Sequence, residues 1–121
     1  MNPDFETVFQ ARAHLIERAL KRNHGTHLVS DIYDGIKGGL YQFWPGQNSA
    51  IVTEFIQYPR KKSLNIFLVA GDLQEVLQMK PFVEDWAKQQ GCDFVQSLAR
   101  KGWARVMKDV PTAGMFYIKG L

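Results

Sequence analysis

The fold is decided by residues 40–70, which read LYQFWPGQNSAIVTEFIQYPRKKSLNIFLVA. Stretches rich in β-branched and aromatic residues, at Leu40–Trp44, Ala50–Tyr58 and Leu64–Ala70, are separated by the turn sequences PGQN and PRKK. Short connections of this kind join antiparallel strands. The sequence therefore predicts a three-stranded antiparallel meander. The nearly continuous apolar run of the last stretch predicts a strand that is buried on both faces.

Helical periodicity precedes the meander. The first 24 residues carry apolar side chains at three- and four-residue spacing and are predicted to form one amphipathic helix. Ser30 is predicted to cap a second helix, which runs to Lys37 and ends at the glycine pair that follows.

Beyond the meander, helix and strand patterns alternate. The expected elements are, in order, a helix capped by Asp72 that ends at Gly91 and is kinked or broken at Pro81, a strand at Cys92–Gln96, a helix capped by Ser97, and a strand at Met115–Ile118. Such alternation is typical of the crossovers in an α/β sheet. The sequence therefore predicts a single α/β domain over residues 1–121. Its mixed central sheet of about five strands begins as an antiparallel meander, continues through βαβ-type crossovers and carries helices on both faces.

The composition excludes several classes of protein. A chain of 121 residues with 45% hydrophobic residues allows one domain with a filled core, and its net charge of +3 is too small to indicate a nucleic-acid-binding domain. The single cysteine, Cys92, excludes an internal disulfide and a Cys-based zinc cluster, and we expect it to be a buried structural thiol. No apolar run approaches the roughly 20 residues of a membrane span, and the amino terminus lacks the pattern of a signal peptide. We therefore expect neither membrane insertion nor secretion.

The order helix, helix, meander, helix, strand, helix, strand resembles the core of the GNAT-type N-acetyltransferase fold. In that family the pyrophosphate of acetyl-CoA binds backbone amides where the fourth strand meets the following helix. The resemblance gives this role to Val69, Ala70, Gly71, Asp72 and Leu73. A helix amino terminus suits phosphate because it presents free N–H groups and the positive end of the helix dipole.

The resemblance also implies a general base on the central strands. Glu54, on the second strand of the meander, is the residue in the matching place. The alternation of the strand could instead turn Glu54 outward beside Thr53 as a solvated residue, and both interpretations stay open.

The chain departs from the family at the cofactor site. The family's phosphate loop follows the pattern Gln/Arg-x-x-Gly-x-Gly/Ala. At the corresponding junction this chain has a single glycine, Gly71, which is followed by Asp72 and, in the first helical turn, by Glu75. These carboxylates repel phosphate, and Asp72 can serve as a helix cap instead. Trp103 lies on the helix where the family often places a tyrosine that acts as the general acid for the leaving thiolate. The departures indicate that no cofactor binds, and acetyl-CoA is expected only if the chain is an enzyme.

Several short sequence segments resemble a narrower group of proteins within this fold. The sequences at 31–39, 41–45, 58–62, 70–73 and 100–103 are similar to those of short GNAT-like proteins of tailed bacteriophages. The resemblance implies a place in the cytoplasm of a bacterial host or in a phage particle. It also implies a non-catalytic role, through protein–protein contacts in virion assembly or structure. The alternative is a small acetyl-CoA-dependent N-acyltransferase.

Aromatic residues on the short strands suggest a surface for another protein. Tyr41, Phe43, Tyr58, Phe116 and Tyr117 are expected at sheet edges or faces. The usual acetyltransferase core has a further first strand, and its absence here leaves a sheet edge open to another chain. We therefore expect a protein partner or self-assembly.

Basic residues form two groups. Lys101, Arg105 and Lys108 share one helix face, and Arg60-Lys61-Lys62 forms a hairpin turn. If the groups met they could bind phosphates, but a solvated face and a charged turn are their commoner roles, so nucleic acid is not expected.

Histidines do not predict a metal site. His24 and His27 straddle the end of the first helix and His14 lies earlier in it, without a cysteine or a close carboxylate. No bound metal is therefore expected.

Overall fold

A computed structural model gives the structure of residues 4–22, 25–98, 109, 114 and 118–121. Its elements are, in chain order, α1 Phe5–Gln10, α2 Ala13–Leu20, α3 Val29–Lys37, β1 Tyr41–Pro45, β2 Ser49–Gln57, β3 Lys62–Gly71, α4 Leu73–Gln89 and β4 Phe94–Ser97.

The strands form one mixed sheet in the order β1-β2-β3-β4. β2 is antiparallel to both β1 and β3, and β4 joins β3 in parallel after the crossover through α4. The predicted α/β fold, with a meander followed by a crossover, is confirmed. The described residues supply four of the expected strands. The predicted final strand falls at residues 115–117, outside the described residues, and at Ile118, which belongs to no regular element.

Helices cover both faces of the sheet. On the face that we call the α1–α3 face, the buried residues of the core are Phe9, Ile16, Leu20, Ile32, Tyr41, Ala50, Val52 and Leu68. On the opposite α4 face they are Ile51, Leu64, Ile66, Val76, Val83 and Ala87. β3 contributes Leu68 to one core and Leu64 to the other, which confirms that this strand is buried on both faces.

The predicted single amino-terminal helix is wrong, because the chain breaks at Arg12 between α1 and α2. In a continuous helix the Arg12 N–H would bond the Val8 carbonyl, but here it bonds Phe9 at 2.9 Å. Instead, the Arg12 guanidinium donates one hydrogen bond to the Val8 carbonyl at 2.8 Å and another to the Gly46 carbonyl at 2.7 Å. The break therefore follows from a contact with the β1–β2 turn.

α3 begins one residue before the predicted cap, Ser30. The Leu28 N–H at the helix start donates to Asp31 Oδ2 at 2.8 Å, so a carboxylate inside the first turn satisfies it. The predicted end at Lys37 is confirmed.

β4 also differs from the predicted strand at Cys92–Gln96. The Cys92 N–H bonds the Ala87 carbonyl at 3.0 Å, which extends the end of α4, and the chain joins the sheet only at Phe94. Ser97 is the last residue of β4, where its Oγ donates to Ile66 O at 3.1 Å, and the helix that it was predicted to cap lies outside the described residues.

α4 continues through Pro81. The break that this proline suggested is therefore wrong. Pro81 is exposed, and the buried residues Val76, Val83 and Ala87 keep helical spacing toward the sheet.

The aromatic residues of β1 are not the exposed surface that was predicted. Tyr41 is only 9% exposed, and Phe43 is half-buried against the aromatic rings of α1. α1 covers Phe43, whereas Tyr41 packs against Gly35 of α3 and stacks on Phe67, and the strand pattern alone does not reveal these contacts. Tyr58 is exposed as expected, and Phe116 and Tyr117 lie outside the described residues.

Candidate functional site

The junction between β3 and α4, the predicted cofactor site, lies against the β1–β2 turn. Gly71 has φ +96°, and a Cβ there would meet the backbone of Asn48 and Ser49. The Asp72 N–H donates to the Asn48 carbonyl at 3.0 Å. The glycine therefore permits the close approach of two segments of the same chain.

Asp72 caps α4, as predicted. Its Oδ1 accepts the Gln74 N–H at 2.9 Å. Since the Asp72 N–H is bound to Asn48, two of the N–H groups at this helix start are already bonded to oxygens of the protein itself.

The side chain of Glu75, in the first turn of α4, points back at the β1–β2 turn. Its Oε1 accepts the Asn48 N–H at 2.8 Å and also the Ser49 hydroxyl. These hydrogen bonds, that from Ser49 first, hold the pKa of Glu75 below its ordinary value, and the positive charge of Arg12 acts in the same direction. We call Asn48, Ser49, Asp72 and Glu75 the junction network.

The other residues predicted to bind the cofactor serve mainly the core. Val69 is half-buried against the core of the α4 face, and Ala70 is 6% exposed. Leu73, the first residue of α4, is half-buried. The structure therefore brings residues 69–73 together as one bend, but their free surface is largely that of Gly71 and Asp72.

β3 extends beyond its parallel partner. The pairing with β4 ends where Ile66 meets Ser97, whereas β3 runs on to Gly71. Within the described part of the chain, β3 from Phe67 onward therefore pairs only with β2.

Glu54, the predicted general base, is half-buried on the α1–α3 face rather than fully solvated. Its Oε2 accepts the side-chain amide of Asn65 at 2.9 Å. It lies opposite Tyr41 in the neighbouring strand. The pKa of the Tyr41 phenol is raised, chiefly by burial and also by the negative charges of Glu54 and Asp31. The carboxylate is therefore held by a neutral amide beside a phenol that stays protonated.

A row of polar side chains continues from this pair across the sheet. Gln96 Oε1 accepts the Tyr58 hydroxyl at 3.0 Å and the Ser63 hydroxyl at 2.8 Å. The sequence offered a signal for it, since Asn65 interrupts the run Leu64–Ala70 that was interpreted only as buried strand, and Ser63, two positions before Asn65, directly precedes that run.

The turn between β2 and β3 forms an apolar depression with a basic rim, which we call the tip patch. It is lined by Tyr58, Pro59, Arg60, Lys61 and Phe94. The Tyr58 and Phe94 rings stack with centroids 6.1 Å apart and are 40% and 42% exposed. Arg60 and Lys61 are exposed.

Lys62, the third basic residue of this turn, is already engaged. Its Nζ donates to the Gln90 carbonyl at 2.9 Å and lies 4.2 Å from the centroid of the Phe55 ring. The other predicted basic group, at residues 101–108, lies outside the described residues, so whether the two groups meet stays open.

Among the described residues, no group of three or more His, Cys, Asp or Glu could hold a metal ion. His27 is half-buried, with Nδ1 at 2.8 Å from the Thr26 hydroxyl and its ring edge-on to Phe67; His24 lies outside the described residues. Cys92 is half-buried, and burial raises the pKa of its thiol. None of the described helices is both long and apolar enough to cross a membrane.

Three solved structures similar to this chain come from Bacillus halodurans. One, described as a transcriptional regulator from strain C-125, is 13% identical with a TM-score of 0.67, and the match covers 100% of this chain and 97% of that one. A tetramutant of the BH1408 protein is 11% identical with a TM-score of 0.64, covering 93% of this chain and 96% of its own. A further BH1408 mutant is 13% identical with a TM-score of 0.63, covering 98% and 94%.

No protein-family model matches the chain, and no curated protein matches it either. The structural likeness extends over nearly the whole of each chain, and at these identities it shows the fold alone. That fold is an α/β domain with a mixed sheet, antiparallel then parallel, consistent with the GNAT-like expectation.

Proposed function

We propose that the chain is a non-catalytic GNAT-like protein of the phage type, which acts through protein–protein contacts in virion assembly or structure. The observation that carries the proposal is the start of α4. There the Asn48 carbonyl and the carboxylates of Asp72 and Glu75 occupy the helix terminus that the family resemblance assigns to phosphates.

The electrostatics of this terminus support the proposal. Glu75, like any glutamate near its ordinary pKa of 4.5, is ionised at neutral pH, and the hydrogen bonds that lower its pKa favour that form further. Asp72 adds a second carboxylate one turn away. An incoming pyrophosphate would have to displace hydrogen bonds within the protein while facing like charge on both side chains. The helix dipole that attracts anions is thus already used by the protein's own acids.

The tip patch supports the contact role. It coincides with one of the phage-like segments, residues 58–62. Exposed aromatic rings beside an arginine are the composition that protein–protein interfaces favour. A surface of this kind suits a protein partner better than it suits a free amine substrate.

A thiol-release assay tests the proposal against its alternative, an acetyl-CoA-dependent N-acyltransferase that holds the cofactor at residues 69–73 and uses Glu54 as base. With acetyl-CoA and a set of primary amines and amino-terminal peptides, we expect release of CoA thiol at the blank rate. Glu54→Gln should not change it, and Glu17→Gln, at an exposed position on α2, is the matched control. A rate above the blank that is lost in Glu54→Gln and kept in Glu17→Gln would overturn the proposal in favour of the enzyme.

A further inference from the structure

Phe82 projects from the middle of α4. At 73% exposure it is the most exposed aromatic side chain of the described residues. The buried residues of the helix, Val76, Val83 and Ala87, lie toward the sheet, so the phenyl ring is not needed for the core. An apolar ring held in solvent on a regular helix is typical of a contact surface.

The surroundings of Phe82 are polar and acidic. At 3.6 residues per turn, Gln78 and Asp85 are its neighbours on the helix surface, and both are exposed. Lys80 is paired with Glu84 at 3.1 Å and with Asp109 at 2.7 Å. We call Gln78, Phe82 and Asp85 the helix knob.

The charge that borders the ring is therefore negative. Asp85 forms no salt bridge with another described residue. The next cation along the helix, Lys88, is separated from Phe82 by about 120° around the helix axis and lies beyond Asp85, of which it is the i+3 neighbour. The helix knob thus presents an apolar ring with a carboxylate at its edge.

The tip patch has the complementary character. It is lined by the apolar rings of Tyr58, Pro59 and Phe94 and by the exposed cations Arg60 and Lys61. Within the described part of the chain, neither cation forms a salt bridge. An apolar ring flanked by a carboxylate matches both the apolar rings and the cations of this lining.

The two surfaces cannot meet within one molecule. Val95 packs into the core of the α4 face, and because side chains alternate along a strand, its neighbour Phe94 points to the α1–α3 face. Phe82, on α4, therefore lies on the other side of the sheet from the tip patch. A contact between them has to join two copies of the chain.

We infer that the helix knob of one copy docks in the tip patch of a second copy. The inference rests on the proposed function, since it names a partner for a protein that acts through protein contacts. The contact is heterologous, so it repeats head to tail and builds a ring or an open filament. Phe82 fills the depression, and Asp85 faces Arg60 and Lys61.

Sedimentation velocity of the full chain, from low-micromolar to near-millimolar concentration, tests the inference. We expect an average mass that rises with concentration. Phe82→Gln should weaken the association about tenfold or more, as the loss of a central anchor does. Leu28→Gln is the matched control, because Leu28 is 70% exposed and belongs to neither surface, and it should leave the association unchanged.

A charge swap makes the test specific. Arg60→Glu and Asp85→Lys should each weaken the association alone, because each creates a like-charge contact. An equimolar mixture should associate again, since each variant then supplies the surface that complements the other. Circular dichroism of each variant checks that the fold is kept.

Two results would overturn the inference. One is a monomer for the unmodified chain at every concentration. The other is an association that Phe82→Gln weakens while Arg60→Glu does not, which would mean that two copies of α4 meet each other. Neither result touches the proposed function, because that fails on acetyl-CoA turnover and not on self-association.

Discussion

Glu75 is the residue on which the interpretation of the β3–α4 junction depends. It is bonded to the backbone of Asn48 and to the hydroxyl of Ser49, and both bonds favour its ionised form. A carboxyl whose pKa is lower in the folded than in the unfolded state stabilises the fold above the unfolded pKa. That stabilisation is lost as the pH falls through the folded value.

This gives a prediction for the pH dependence of folding. The free energy of unfolding should fall as the pH drops below about 4.5, the ordinary value for this carboxyl, and part of that fall should disappear in Glu75→Gln. Urea denaturation at a series of pH values measures it, with Glu17→Gln as the control at an exposed position. Parallel curves for the unmodified chain and Glu75→Gln would contradict the assignment.

Gly71 gives a second prediction at the scale of the residue. Gly71→Ala must adopt φ +96° and also place a Cβ against the Asn48 backbone, whereas Gly91→Ala meets only the backbone cost, because Gly91 has φ +83° with open space around it. We expect about 1–2 kcal/mol of destabilisation for Gly91→Ala and clearly more for Gly71→Ala. If urea denaturation gave equal losses in the free energy of unfolding for the two variants, the backbone of Asn48 would not lie close against Gly71.

Among the elements, β1 and β2 are joined by a buried hydroxyl as well as by their backbones. Thr53 has no exposed surface, and its Oγ1 accepts the Trp44 indole N–H at 3.1 Å and donates to Gln42 Oε1 at 2.8 Å. Thr53→Val keeps the shape but leaves both groups without this partner.

We therefore expect Thr53→Val to lower the free energy of unfolding by about 1–3 kcal/mol. Thr7→Val, which removes an exposed hydroxyl that hydrogen-bonds Asp4 in the first turn of α1, is the control and should lower it clearly less. Urea denaturation decides between them, and a neutral Thr53→Val would mean that the hydroxyl does not hold these strands together.

The strands and helices differ in how far the sequence reveals them. The meander follows from local alternation, so its predicted strands match β1, β2 and β3 within a few residues. The break at Arg12 was missed because its cause, the carbonyl of Gly46, is 34 positions away in the chain. The burial of Tyr41 and Phe43 was missed for the same kind of reason, since α3 packs on Tyr41 and α1 packs on Phe43 only in the folded molecule.

The candidate site was predicted in part. Asp72 and Glu75 could be interpreted from charge alone as a poor phosphate site, and the cap at Asp72 is confirmed. The partner of Glu75 could not be predicted, because Asn48 meets it only when β3 returns beside the β1–β2 turn. The tip patch was predicted in part, since the basic turn and Tyr58 could be recognised in the sequence. The presence of Phe94 in it could not be predicted, because the parallel pairing of β4 with β3 places that residue beside the turn.

At the scale of the whole molecule, the two sides of the sheet carry different surfaces. The α4 side presents the helix knob, and the α1–α3 side presents the tip patch and the polar row that ends at Glu54. The proposed function assigns contacts with other proteins to both of these surfaces.

The most direct test of this account is a calorimetric titration of the purified chain with acetyl-CoA. The account predicts no heat of binding, and no shift of the thermal unfolding midpoint, because the junction network already occupies the terminus of α4. Saturable binding with a dissociation constant in the micromolar range, about −8 kcal/mol, would contradict it. The cofactor would then bind in spite of Asp72 and Glu75, and the chain would have to be treated as an acetyltransferase.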